Sequence, residues 1–97
     1  MEFLVNIEVG WPAGMDPSEL VRLTSAERVR GAELAAAGVI RRMWRVPGRR
    51  ENWGVWEAVD ATALHAAIVS LPFFPYLDVK VIPLAAHPTD PEHPGGM

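Results

Sequence analysis

The sequence predicts an α+β domain: one four-stranded antiparallel sheet with two helices on one face, in the order β-α-β-β-α-β. Four stretches alternate with period two or are rich in Val, Ile and Trp, and two others carry an apolar stripe at helical spacing. Gly and Pro punctuate the boundaries between them. At 97 residues the chain supports one core and no second domain.

The first strand is Glu2 to Trp11, where Phe3, Val5, Ile7, Val9 and Trp11 face one way and Glu2, Asn6, Glu8 and Gly10 the other, with Leu4 the exception. Asp16 then caps a helix with Pro17 at its first position and Glu19 three residues after the cap; it runs to about Ala37 and stops at Gly38. Val39 to Val46 is the second strand, closed by the turn at Pro47-Gly48, and Asn52 to Val59 the third. Asp60 caps a shorter helix to about Ser70, with Leu64, Ile68 and Leu71 as its stripe. Pro72 and Pro75 end it, and Tyr76 to Ile82 forms the fourth strand. This is the split βαβ, or ferredoxin-like, order. Residues 1–84 form the domain, and 85–97 a Pro/Gly-rich tail that cannot pack alone and is either disordered or laid on a neighbouring subunit.

Composition narrows the function classes. Nine basic and 12 acidic residues leave a net charge of -3, which gives no electrostatic reason to expect nucleic acid or an anionic membrane as partner. The absence of cysteine removes disulfides, thiolate chemistry and Cys-ligated metal. His65, His87 and His93 lack the close spacing of metal ligands. With no signal-like start and no long apolar run, a soluble cytoplasmic protein is expected. Trp11, Trp44, Trp53 and Trp56 are many large aromatics for so small a core, and a second subunit packed sheet to sheet would bury them.

One residue stands out chemically. At about 100° per residue, Leu23, Glu27, Gly31 and Leu34 fall within about 80° of one another, so Glu27 points into the apolar stripe of the first helix. It is either paired with Arg28 or Arg30, or a general base whose pKa is raised in an apolar pocket. Gly31 one turn on costs about 1 kcal/mol against alanine inside a helix, which suggests that something needs space beside Glu27. His65 is either a structural residue at the edge of its stripe or a proton carrier or donor to a ligand. Asn52 is either turn chemistry or an amide able to hold an oxyanion. Five of the nine basic residues lie in "RRMWRVPGRR": a solvated edge, of which one or two arginines suffice to clamp a small anion.

"MDP" at Met15 to Pro17, Glu27, "WR" at Trp44-Arg45, Gly48, Asn52, "LH" at Leu64-His65, "LPFFPYLDV" from Leu71 to Val79 and His87-Pro88 together resemble the muconolactone Δ-isomerase family. The resemblance runs without a gap from Met1 to about Pro88, and "LPxFPYxD" is its most specific element. It implies a ferredoxin-like, dimeric α+β barrel enzyme that assembles into decamers, needs no cofactor and serves aromatic catabolism in the β-ketoadipate pathway. The implied reaction moves the ring double bond of muconolactone to give 3-oxoadipate enol-lactone. On this reading Glu27 shuttles the proton, Asn52 and His65 hold the dienolate oxygen or substrate, and Arg45, Trp44, Arg50 and Tyr76 contact substrate, with the Arg45 guanidinium on the substrate's carboxylate. Position 50 is commonly aromatic in the family; Arg50 here points to chloro- or methyl-substituted muconolactones, or a dehalogenase, as alternatives. The rivals are a small monooxygenase of the same barrel group and a non-catalytic ligand-binding or assembly module.

Overall fold

The computed structural model describes residues 1–92. Its elements are β1 (Glu2–Val9), α1 (Pro17–Ala36), β2 (Ile40–Arg45), β3 (Glu51–Glu57), α2 (Ala61–Val69) and β4 (Leu77–Leu84), with one 3-10 turn at Phe74–Tyr76 before β4. All pairings are antiparallel and the sheet order is β2-β3-β1-β4. The expected α+β, ferredoxin-like architecture is therefore present. Among the described residues no helix is long and apolar enough to cross a membrane.

Local chemistry explains the boundaries. Asp16 accepts hydrogen bonds from the Ser18 amide and hydroxyl, each 2.9 Å, and Pro17 needs no donor partner at the first helical position. Glu19 does not reach back to complete a capping box; it pairs with Arg22 instead. The helix ends in a Schellman motif: Val39 N–H reaches Leu34 C=O, Gly38 N–H reaches Ala35 C=O, and Gly38 takes φ 77°. Asp60 caps α2 by accepting from Ala63 N–H at 2.8 Å. β4 runs two residues beyond Ile82, through Pro83, which an edge strand tolerates because one of its sides needs no ladder donor. β1 stops at Val9, short of Trp11.

Register assigns every strand residue to a face. Phe3, Val5 and Ile7 stand opposite Trp56, Gly54 and Asn52 on one side and Pro83, Val81 and Val79 on the other, and all face the helices. Phe3, Val5, Ile7, Leu34, Trp56, Leu64, Ile68 and Leu71 make the core. Fully burying a side chain of this kind contributes about 1.5–3 kcal/mol, so this cluster dominates the stability of the domain. Trp56 is 0% exposed and needs no second subunit to bury it, which corrects the expectation for that tryptophan, while Trp11 is half-buried against Phe73 and Tyr76. Trp53 and Trp44 stand opposite each other on the open face, with the Arg42 guanidinium 4.8 Å from the Trp44 ring.

β2 carries a feature the sequence pattern did not announce. The register shifts between Ile40 and Arg42, so one extra residue is accommodated there as a bulge. Ile40 pairs with Trp56 on the helix face, and beyond the bulge Met43 pairs with Gly54 and Arg45 with Asn52 on that same face. Without the bulge, simple alternation from Ile40 would have put Trp44 there and Arg45 on the open side.

Candidate active site

Glu27 lies mid-way along α1, partly buried, and faces the loop that follows α2. Its Oε1 accepts a hydrogen bond of 3.0 Å from the backbone N–H of Phe73. No arginine neutralises it: Arg30 donates to Ser70 Oγ and reaches Glu33, while Arg28 is exposed. Burial therefore pushes the Glu27 carboxyl above its ordinary range, and the Phe73 N–H only partly offsets this. Gly31, one turn on, has open space where a side chain would start. Pro72 breaks α2, and the chain then turns so that the Phe73 amide is free to face α1.

Phe73 ties this loop to the end of β1. Its ring meets Trp11 edge to face at 4.7 Å, and Tyr76 lies 5.3 Å from Trp11 on the other side. Gly10 N–H donates to the Tyr76 carbonyl, fixing the start of β4 against the end of β1. One pleat back along the sheet comes a row that crosses all four strands on the helix face: Arg45, Asn52, Ile7 and Val79. The Phe73 loop that binds Glu27 and the row holding Asn52 and Arg45 thus lie toward the same end of the sheet, where β1 leaves it. A carboxylate without a cation partner, an amide, an arginine and an aromatic wall suit an anionic, partly apolar ligand that gains or loses a proton.

Asn52 is held from behind. Asn6, buried on the opposite face of the sheet, donates from Nδ2 to Glu51 Oε2 at 2.9 Å and to the Asn52 carbonyl at 3.3 Å. Glu51 also accepts from Arg49 Nε at 2.7 Å. The hydrogen bonds from Asn6 and then Arg49 hold the Glu51 carboxyl below its ordinary range. The Oδ1 of Asn52 is buried with no hydrogen-bond partner among the described residues.

The other expected site residues are dispersed. His65 is exposed on α2 and lines an apolar cleft of about 550 Å³ with Leu64, Ile68, Phe74, Val79 and Val81; Glu27 and Asn52 are not among the lining residues. Arg50 lies in the β2–β3 turn beside Glu8 and Val9, its carbonyl accepting from Val9 N–H at 2.9 Å. Trp44 faces away from Asn52, whereas Tyr76 stands in the aromatic wall. His93 lies outside the described residues, and among those described no three His, Asp or Glu side chains are grouped to hold a metal ion. Three participants escaped sequence reading: the Phe73 amide, which no side-chain pattern marks, Trp11 as a wall rather than an interface residue, and Asn6, whose signal was an amide in the middle of an apolar strand.

Residues 1–90 match the family model described as muconolactone delta-isomerase. A muconolactone delta-isomerase of Pseudomonas aeruginosa is 34% identical over 89 residues, covering 92% of this chain and 93% of that protein. A second such enzyme, from Acinetobacter lwoffii, is 38% identical over 87 residues, covering 90% and 91%. A crystal structure of muconolactone isomerase superposes with a TM-score of 0.87 at 34% identity, covering 94% of this chain and 95% of that one.

Proposed function

The chain belongs to the muconolactone delta-isomerase family, and from that premise we propose that it isomerises muconolactone to the enol-lactone with Glu27 as the proton shuttle. The observation that carries the assignment is the uncompensated, partly buried Glu27 carboxylate, oriented by the Phe73 amide and opening on the space beside Gly31. A carboxylate whose pKa is raised by burial is a stronger proton acceptor in its ionised form.

Glu27 removes the proton from the ring carbon that bears the carboxymethyl arm. The electron pair moves through the double bond to the lactone carbonyl, giving a dienolate, and Glu27 returns the proton to the carbon beside that carbonyl. Atoms and charge balance without an external reagent, and one carboxylate serves both steps when the two carbons present the same ring face. Asn52 is the donor to the developing oxyanion, and removing one such donor typically costs about 10²–10³ in rate. Arg45, in the same sheet row, takes the carboxylate of the arm. Trp11, Phe73 and Tyr76 exclude water from the ring.

The open face supports assembly. Trp44 is 47% exposed, Trp53 36% and Ile82 50%, on a side of the sheet that neither helix covers. A second copy packed face to face removes this surface from water, and such dimers are the units of the larger homo-oligomer.

Purified protein incubated with muconolactone, followed by ultraviolet absorbance and NMR of the product, tests the reading. Turnover by the wild type and its loss in Glu27→Gln are expected. No turnover of muconolactone or its chloro and methyl analogues would overturn the enzyme assignment, and full activity in Glu27→Gln would overturn the mechanism alone.

A further inference from the structure

Trp56 is fully buried, yet its indole Nε1–H has no hydrogen-bond partner. It shares this condition with one other buried side-chain atom among the described residues, Asn52 Oδ1. The two are a donor and an acceptor on the same strand and the same face, with Gly54 between them. A Cβ built on Gly54 would lie 3.1 Å from Trp56 Nε1, 3.4 Å from Trp56 Cδ1 and 3.0 Å from the Arg42 carbonyl oxygen. The indole therefore leans back over Gly54 toward Asn52, and the Arg42 carbonyl, beside the β2 bulge, faces the same spot.

Leaving two buried polar groups unpaired is costly, and native interiors pair such groups or bridge them. Asn52 and Trp56 are four residues apart, about 13 Å along a strand, and the indole reaching back over Gly54 closes about half of that, so the separation that remains after the reach of the Asn52 side chain suits one water with hydrogen bonds of about 2.9 Å. The polarity fits too. A water there accepts from the indole and donates to Asn52 Oδ1 and to the Arg42 carbonyl. An amide so held turns its Nδ2 away from the core, toward the cleft.

We infer that Trp56 is a positioning residue for the reaction: through one water held over Gly54, its indole N–H fixes the side-chain orientation of Asn52 so that Nδ2 donates to the substrate oxygen. Trp56 itself touches no reacting atom. The inference rests on the role proposed for Asn52 in the isomerisation, and the two are separable by experiment.

The kinetic arm compares Trp56→Phe, Asn52→Ala and the double variant with muconolactone as substrate. Phenylalanine keeps an aromatic ring in the core but has no N–H. A freed amide samples both orientations, so kcat should fall about five- to tenfold, less than the full loss of an oxyanion donor, with KM within twofold. In the Asn52→Ala background the same change should have no further effect on kcat. Losses that multiply, or an unchanged kcat in Trp56→Phe, would overturn the inference. The second arm needs no activity and no variant. In wild-type protein labelled with ¹⁵N-tryptophan, the Trp56 indole proton should exchange slowly and show a cross-peak to bound water. A slowly exchanging indole without a water cross-peak would overturn the bridge, even if the enzyme reading stands. Failure to turn over any muconolactone, with the water cross-peak present, would instead overturn the enzyme reading and leave the bridge.

Discussion

Replacing Glu27 by glutamine separates chemistry from packing at one site. The amide has the shape of the carboxylate and keeps an oxygen for the Phe73 N–H, now 3.0 Å from Oε1. It cannot accept a proton from the ring carbon, and loss of a positioned general base costs about 10²–10⁴ in rate. Stability should move the other way. Burial raises the Glu27 carboxyl above its ordinary value despite the Phe73 bond, so folding favours the protonated form. The contribution of that form is full below the unfolded pKa and is lost as pH rises through the folded one. Glutamine mimics the protonated state at every pH. Thermal melts should therefore coincide near pH 4, and Glu27→Gln should match or exceed the wild type at pH 7.5. Glu27→Ala removes the acceptor as well, leaving the Phe73 N–H unpaired at about 1–3 kcal/mol, or roughly 5–15 °C in Tm for a domain of this size. Circular dichroism melts at the two pH values and initial rates of isomerisation read all three proteins. Activity of Glu27→Gln within tenfold of wild type, or a deficit in its Tm that grows toward neutral pH, would refute the reasoning.

Gly54→Ala drives a methyl against the Arg42 carbonyl and the indole edge of Trp56, at a net cost of about 1–2 kcal/mol once the strand preference of alanine is credited; a urea titration should show the lower midpoint. Glu51→Gln should flatten the acid limb of stability. The Glu51 carboxyl is lowered by Asn6 and Arg49, so its contribution is present above the ordinary carboxylate pKa and is lost as pH falls through the folded value, which melts between pH 6 and 3 would follow. His65→Ala should keep kcat within about threefold, well short of the 10²–10³ expected for a lost oxyanion donor, because His65 lines the α2–β4 cleft, whose lining includes neither Glu27 nor Asn52. Trp53→Lys should shift the light-scattering mass toward monomer, since a charge would then sit in the middle of the uncovered sheet face.

The readable parts of the fold were those written in local chemistry. Asp16-Pro17, Gly38, Asp60 and the prolines after α2 are signals that act within a few residues, and the boundaries fell within two residues of them. Glu27 was legible because helical periodicity is a one-dimensional property. The faces of β2 were not, because the bulge depends on how Ile40 and Arg42 meet β3 across the sheet. The same holds for Trp56: sequence registers an aromatic in a strand, but only register against Phe3 and the smallness of Gly54 put its ring in the core. His65 and Glu27 sit on stripes that look equivalent in sequence. What separates them is which side of α2 faces β4, a matter of helix placement over the sheet.

The bulge in β2 works as a parity bit for the protein's two surfaces. Substitutions at Trp44 and at Arg45 act on opposite sides of the sheet, so self-association and ligand preference can drift independently at neighbouring codons. Loss of Arg41 would take out the extra residue and the bulge together, and Trp44 and Arg45 would keep their partners Trp53 and Asn52 and their sides of the sheet. A residue inserted after Arg42 with the bulge kept would instead exchange the two sides in one step, presenting the indole to the cleft and the guanidinium to the partner. Point changes along β2 are therefore separable, whereas an insertion beyond the bulge is felt by both functions together.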